Sequence, residues 1–112
     1  MALPKVYRLT IDAAISSKLR KTGTSIHSHF FSAYHLPNNL KHSRFGIITG
    51  TAIAKKAVVR NRIRRIVQDG LLHKAAGIVN SKDVMIYTKK TIAGADTNQI
   101  RADIDSLVEK IS

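Results

Sequence analysis

A strongly basic segment with a regular apolar stripe constrains the fold of this chain more than any other feature. Six of the eleven residues from 55 to 65 are Lys or Arg, and none is acidic. In an α-helix each residue is rotated by about 100° from the one before. Four apolar side chains then share an arc roughly 100° wide, those of Val59, Ile63, Ile66 and Val67. The pattern predicts a helix that docks on a core by its apolar side. Asn61 then points away from the core, with arginines around it.

The outer side of this helix is more uniformly cationic than an ordinary solvated surface. Like charges four residues apart repel one another by about 0.3 kcal/mol per pair, and an anionic ligand would relieve that repulsion. Arginine also suits two-point contacts with phosphate and stacking on bases. The alternative is a solvated face without a ligand. We favour a helix that binds a polyanion.

The composition agrees with a nucleic-acid partner. The 112 residues carry 19 Lys and Arg against 7 Asp and Glu, a formal net charge of +12, and such a chain is expected to bind nucleic acid or an anionic membrane surface. No apolar run approaches the roughly 20 residues of a membrane span, and the basic helix lacks the Trp or Phe anchors of a membrane-surface helix. There is no cysteine. We expect one domain, 1–112, in the cytoplasm, with no membrane partner.

Periodicity and turn residues predict the remaining elements. A first helix is expected over 11–20, capped by Thr10, with Gly23 just beyond its end. Strands are expected over 25–36, 44–49 and 83–88, and the basic helix is expected to extend into 71–78, with Gly77 as its stop. Thr97 is expected to cap a last helix whose acidic residues face solvent and not a nucleic acid.

The carboxylates are too scattered for a protein nuclease, which would need several of them converging on metal ions. Asp103 and Asp105 lie two apart in a helix and so point in different directions. His27 and His29 share a strand face by alternation, but no third ligand accompanies them. We therefore predict no catalytic residue and no metal site in the protein itself.

Three segments of the chain resemble one family. The run over 57–65, Ala-Val-Val-Arg-Asn-Arg-Ile-Arg-Arg, resembles the Arg-Asn-Arg signature of the bacterial ribonuclease P protein component. Residues 44–47 resemble the strand that leads into that helix, and Gly23 with 30–38 resembles the first strand of the family and its turn. The resemblance implies an α/β (α+β) two-layer sandwich with a small sheet of about four strands and about three helices. It also implies a ribosomal-protein-like fold with a left-handed crossover.

The resemblance also implies a function. In bacterial ribonuclease P a catalytic RNA subunit removes the 5′ leader of precursor tRNA in a Mg²⁺-dependent hydrolysis, and the protein subunit assists it. The expected partners are therefore that RNA and precursor tRNA. Mg²⁺ is expected to be held mainly by the RNA, and the protein is expected to be a monomer outside the complex.

Site residues follow from the resemblance together with the basic helix. Contacts to RNA phosphates are predicted for Lys55, Lys56, Arg60, Arg62, Arg64 and Arg65. Asn61, at the centre of these cations, is a candidate to bond a base, a phosphate or a metal-bound water. Candidates for a cleft that holds the leader are Ile15, Leu19, Phe31, Tyr34 and Lys89.

The chain departs from the family at two places. Ile15 and Leu19 stand where the family usually has phenylalanines, and aliphatic side chains stack poorly on bases. Thr51 and Ala52 replace a lysine pair, so Lys55 and Lys56 are expected to take over some phosphate contacts. Two other functions remain open at this stage. They are a ribosomal or other structural RNA-binding protein and an autonomous metal-dependent nuclease.

Overall fold

Four strands form one mixed sheet in the computed structural model, which describes residues 4–50, 53–74 and 81–111. The strands are β1 (Thr24–His27), β2 (Phe31–Pro37), β3 (Arg44–Ile48) and β4 (Lys82–Thr88), and the helices are α1 (Ala13–Thr22), α2 (Ala57–Lys74) and α3 (Thr97–Ile111). Short 3-10 turns cover Lys5–Tyr7 and Lys90–Ile92. The expected α+β fold with about four strands and three helices is confirmed.

The sheet has the strand order β1-β2-β4-β3. β2 pairs antiparallel with β1 and with β4, whereas β3 runs parallel to β4. The α2 helix lies in the crossover that joins these two parallel strands. Because β3 and β4 are parallel, their C-terminal ends at Ile48 and Thr88 meet at one edge of the sheet. We call this edge the upper edge, and the opposite one the lower edge. The left-handed crossover and the single-domain assignment stay predictions.

The main core lies between one face of the sheet and the helices α2 and α3. The sheet contributes alternate residues, among them Phe31 and Ala33 of β2 and Val84 and Ile86 of β4, and the helices contribute Ile63, Val67, Leu71, Ile100, Ile104 and Leu107. The helices approach closely at Gly70, where a Cβ would lie 3.0 Å from the Ile104 side chain. This part of the molecule is the expected two-layer sandwich.

A smaller cluster occupies the other face of the sheet, which we call the open face. Leu9, Leu19 and Met85 are buried there, so α1 covers part of this face and adds a partial third layer. The chain before α1 crosses β3 at Gly46, where a Cβ would lie 2.6 Å from the Ile11 side chain. The rest of the open face carries partly exposed side chains, including Tyr34 and Tyr87.

Two predicted boundaries in the first third of the chain are wrong. The first helix begins at Ala13, because the carboxylate of Asp12, and not Thr10, accepts the Ile15 amide at 2.8 Å as an N-cap. The strand expected over 25–36 is a hairpin, broken at Ser28–Phe30. Gly23 does end the helix, as expected, with its amide bonded to the Leu19 carbonyl.

The last helix also differs from the expectation. Asp96 is the N-cap, since its carboxylate accepts the Gln99 amide at 2.8 Å and its own amide donates to the Gln99 side chain at 3.0 Å. Thr97 is the first helical residue. Asp103 does not face solvent but bonds to the hairpin turn.

The basic helix α2 runs through Lys74, and the predicted stop at Gly77 lies outside the described residues, as do Thr51 and Ala52. In its apolar stripe Ile63 and Val67 are buried and Ile66 is partly exposed. Val59, which was expected on the core side, is 39% exposed, because the first turn of α2 projects beyond the core.

Candidate nucleic-acid interface

The predicted polyanion-binding residues lie together on the solvent side of α2 and in the loop before it. Exposed side chains on this surface are those of Lys55, Lys56, Asn61, Arg62 and Arg65, and the side chains of Arg60 and Arg64 are partly exposed. Asn61 and Arg65 lie opposite the four buried positions of the helix, Arg62 and Arg64 lie on its flanks, and Arg60 lies nearest the buried side. We call the seven residues named here the cationic face.

Arg60 is tied to the protein more than the sequence indicated. Its Nη1 atom donates to the carbonyls of Ala54 and Lys55, both at 2.9 Å. The backbone of Lys56 also accepts the amides of Val59 and Arg60, which starts the helix. Arg60 therefore orients the loop that presents Lys55 and Lys56, in addition to adding positive charge to the surface.

Asn61 and Arg64 form a pair at the centre of the cationic face. Arg64 donates through Nη2 to the side-chain carbonyl of Asn61, three residues earlier on the helix. The Asn61 oxygen thereby accepts a bond from within the protein, and its amide nitrogen is left as the donor of this exposed side chain. An amide donor among guanidinium groups suits a phosphate or base acceptor better than it suits a cation.

A second candidate surface lies on the open face of the sheet. Tyr34 and Tyr87 stand edge to face on neighbouring strands, with ring centroids 6.4 Å apart. The guanidinium carbon of Arg20 lies 5.1 Å from the centroid of the Tyr87 ring, and its Nη2 donates to the Tyr87 hydroxyl. A cation beside two partly exposed rings is a typical stacking platform for single-stranded nucleic acid.

The structure divides the residues predicted for a leader cleft. Ile15 and Tyr34 are partly exposed and pack in the open-face cluster, and Leu19 is buried beneath them. Phe31 is fully buried in the main core on the other side of the sheet. That prediction for Phe31 is wrong, because alternation along β2 turns its ring away from Tyr34. Lys89 leaves the upper end of β4 and donates through Nζ to the Ser28 carbonyl at 2.8 Å.

A polar pocket closes the lower end of the open face. The Asp83 carboxylate there accepts two bonds from Arg44, at 2.7 and 2.8 Å, and one from Asn38 at 2.9 Å. Burial alone would raise the pKa of Asp83, but these bonds and the positive charges of Arg44 and Lys18 hold the pKa below its ordinary value. The carboxylate is thus held as an anion by its neighbours and does not repel a nucleic acid as a free charge would.

Both surfaces border the upper edge of the sheet, from its opposite faces. The loop to α2 leaves this edge at Thr49, whose hydroxyl is 2.9 Å from that of Thr88. Lys89 and Lys90 leave the same edge from β4, and Tyr87 lies just inside it on the open face. A polyanion at the upper edge can therefore reach both the cationic face and the tyrosines.

Comparison with known families assigns the chain to one of them. The family model described as Ribonuclease P matches residues 3–112. The chain belongs to the ribonuclease P protein family. It is 30% identical over 110 residues to the ribonuclease P protein component of Desulforapulum autotrophicum, covering 98% of this chain and 92% of that protein. The corresponding protein of Caldanaerobacter subterraneus is 32% identical over 108 residues, covering 84% and 88%.

Solved structures of the family share the fold. The ribonuclease P protein of Staphylococcus aureus superposes with a TM-score of 0.82 at 25% identity, covering 95% of each chain. The Thermotoga maritima protein superposes with a TM-score of 0.82 at 22% identity, covering 94% of this chain and 97% of that one. The resemblance drawn from the Arg-Asn-Arg segment is thus confirmed.

Family membership makes this chain a component of an endoribonuclease complex with an RNA partner. Across the described residues, no group of three His, Asp or Glu side chains is placed to hold a metal ion. No helix in the described ranges is long and apolar enough to cross a membrane.

Sequence reasoning missed two members of the open-face surface, Arg20 and Tyr87. Tyr87 lies within the predicted strand 83–88, where alternation places it on the same strand face as Lys89. Arg20 follows Leu19, a cleft candidate, in the last turn of α1. Its approach to Tyr87 spans 67 positions of the chain and has no local signal in the sequence.

Proposed function

We propose that this ribonuclease P protein binds the catalytic RNA of the enzyme through the cationic face and the 5′ leader of precursor tRNA across the open face. The observation that carries the proposal is that both surfaces border the upper edge of the sheet, from its opposite faces. One polyanion can be bound on each side of this edge, so the protein can hold the leader next to the RNA that cleaves it.

The chemistry in this proposal belongs to the RNA. The RNA carries out the hydrolysis that removes the leader, and it holds most of the Mg²⁺ ions that this reaction requires. The contribution of the protein is electrostatic, because its cations neutralise phosphates that would otherwise need counterions. Each neutralised phosphate releases bound counterions and steepens the salt dependence of binding by about 0.7–0.9 in the log–log slope. A lower Mg²⁺ requirement follows.

The leader contact is proposed to rest on the tyrosine pair. A single-stranded base can stack on the Tyr87 ring while the Arg20 guanidinium pairs with the adjoining phosphate. Ile15 gives an aliphatic wall beside Tyr34 that packs against a ribose or a base edge. Lys89 adds a cation at the end where the leader would meet the catalytic RNA.

A precursor-tRNA cleavage assay at low Mg²⁺ tests the proposal, with the protein alone, a bacterial ribonuclease P RNA alone, and the two together. We expect leader removal only in the mixture. Tight RNA binding without stimulation would instead support a ribosomal or other structural RNA-binding role. Cleavage by the protein alone would overturn the assignment of chemistry to the RNA.

We propose that the protein is a monomer when it is outside the complex. We also propose that it acts in the cytoplasm, where the resemblance places bacterial tRNA processing. Light scattering during size-exclusion chromatography tests the first point. A mass near the 12.4 kDa of one chain is expected, and a stable dimer would contradict it.

A further inference from the structure

An apolar groove lies beside the cationic face, with which it shares Arg62, and is separate from the open face. It has a volume of about 510 Å³, within the range of about 300–1,000 Å³ that is typical of small-ligand sites. One wall is the projecting start of α2, with Val59, Ile63 and Ile66, and the other is the segment that follows Lys90, with Ile92 and Ala93. The groove is therefore at the upper edge of the sheet.

Charges at the rim of the groove restrict what can occupy it. Arg62, a member of the cationic face, lines one side, and the exposed Lys90 starts the turn on the other side. Asp96 also lines the groove, but its carboxylate caps α3. Cations outside and a carboxylate within the rim favour a ligand that keeps its phosphates outside and inserts a neutral apolar face.

We propose that this groove receives one unstacked base of the RNA that binds the cationic face. The inference rests on the proposed function, because it needs RNA along α2. The sugar–phosphate backbone contacts Arg62 on one side of the groove and Lys90 on the other. The base itself packs between the two aliphatic walls, one from α2 and one from the segment after Lys90. Charge complementarity and continuity with the cationic face favour a nucleotide over an apolar segment of a protein.

The projecting first turn of α2 supports this assignment. Val59 is 39% exposed at the lip of the groove, although helix periodicity places it in line with the buried Ile63 and Val67. With the partly exposed Ile53 and Ile66 it forms a contiguous apolar patch, and such patches, unlike single exposed residues, mark binding sites. A base seated against Val59 would cover the part of the stripe that the core leaves open.

A substitution that fills the groove from the wall opposite α2 tests the proposal. Ala93→Trp places a bulky ring at an exposed position in the groove without replacing a cation, and Ala102→Trp is the matched control at an exposed position of α3. We expect Ala93→Trp to weaken binding to a bacterial ribonuclease P RNA about tenfold, or about 1.4 kcal/mol. The log–log salt slope should stay unchanged, because no phosphate contact is lost.

A second variant and a second measurement distinguish a blocked groove from a misfolded protein. Val59→Trp fills the groove from the helix side and should give the same loss. Circular dichroism checks folding of each variant. Chemical probing of the RNA should show a base that the wild-type protein protects and that becomes reactive with both plugged variants but not with Ala102→Trp.

Wild-type affinity in both plugged variants would overturn the inference and leave the proposed function standing, as would a base-protection pattern that the plugs do not alter. A loss of affinity together with a shallower salt slope would also overturn it, since the substitutions would then act on phosphate contacts. Failure of the wild-type protein to bind this RNA would refute the proposed function and the inference together.

Discussion

Arg44 and Asp83 join the parallel strands β3 and β4 through a two-point contact. The Nε and Nη2 atoms of Arg44 lie 2.8 and 2.7 Å from the two carboxylate oxygens of Asp83, which is its register partner. Asn38 donates to the same carboxylate and also to the carbonyl of His42. The contact therefore fixes the lower edge of the sheet, including the turn after β2.

Replacing Asp83 by Asn should lower the free energy of unfolding by about 1–2 kcal/mol, between the values for exposed and for buried ion pairs. The pKa of Asp83 in the folded protein lies below its ordinary 3.8. The stabilisation is therefore fully present above pH 3.8 and is lost as the pH falls through the lower folded pKa. Urea unfolding between pH 2 and 7 checks both points. A constant difference between Asp83→Asn and wild type over this range would contradict the pH dependence.

Local patterns in the sequence predicted the elements that bury a periodic stripe, such as α3 and β4. They did not predict the break between β1 and β2. The turn at Ser28–Phe30 contains no Gly or Pro and is held by Asp103, about 75 positions away. Alternation placed Phe31 and Tyr34 on opposite faces of β2, but only the packing of α2 and α3 decides which face is the core. The cationic face was predictable because its charges are contiguous, and the pairing of Arg20 with Tyr87 was not.

The arginines of α2 should separate into two classes. Arg60→Ala removes two hydrogen bonds to backbone carbonyls and is expected to destabilise the protein by about 1–2 kcal/mol. Arg62→Ala with Arg65→Ala removes two exposed cations and should leave stability within about 0.5 kcal/mol of wild type. The double variant should instead weaken RNA binding by about 2 kcal/mol.

Thermal unfolding and RNA titrations over a range of salt concentrations measure these two effects. The Arg62/Arg65 variant should lose about 1.4–1.8 in the log–log salt slope, for two phosphates. Arg60→Lys is the matched control for Arg60→Ala, since it keeps the charge and loses the fork geometry. If Arg60→Lys were as stable as wild type, the carbonyl contacts would not be what fixes the loop.

Asp103→Ala should be among the most destabilising single changes on the surface. The carboxylate accepts from the Ser28 hydroxyl at 2.7 Å and from the amides of His29 and Phe30 at 3.1 and 2.9 Å. Loss of these bonds leaves the amides of His29 and Phe30 without this acceptor, and we expect about 2–3 kcal/mol of destabilisation. Glu109→Ala, on an exposed position of the same helix, is the control and should change stability by less than about 0.5 kcal/mol. Equal effects in chemical denaturation would show that the turn does not depend on Asp103.

His35 should make the protein less stable in mild acid. Its side chain is 8% exposed, and its Nδ1 atom has no hydrogen-bond partner among the described residues. Burial, and then the charge of Lys82, lower the pKa of His35 below 6.5. The unfolded chain therefore binds the proton more tightly, and stability falls as the pH drops below 6.5. His35→Met should reduce this decline between pH 7 and 5, whereas His29→Gln, at an exposed position, should keep it. A wild-type decline that survives in His35→Met would assign the effect to another group.

Tyr87→Leu should weaken the binding of precursor tRNA by the assembled enzyme and leave mature tRNA unaffected, because the proposed contact is to the leader alone. The loss of one stacking ring corresponds to about 1–2 kcal/mol, or roughly 5- to 30-fold in Kd. Tyr87→Phe keeps the ring and loses only the hydroxyl that accepts from Arg20, so it should retain most of the affinity. Fluorescence titration with the two tRNA forms measures the difference. An equal loss for mature tRNA would place Tyr87 in the contact with the tRNA body or in the folding of the sheet, and the open face would no longer be the leader site.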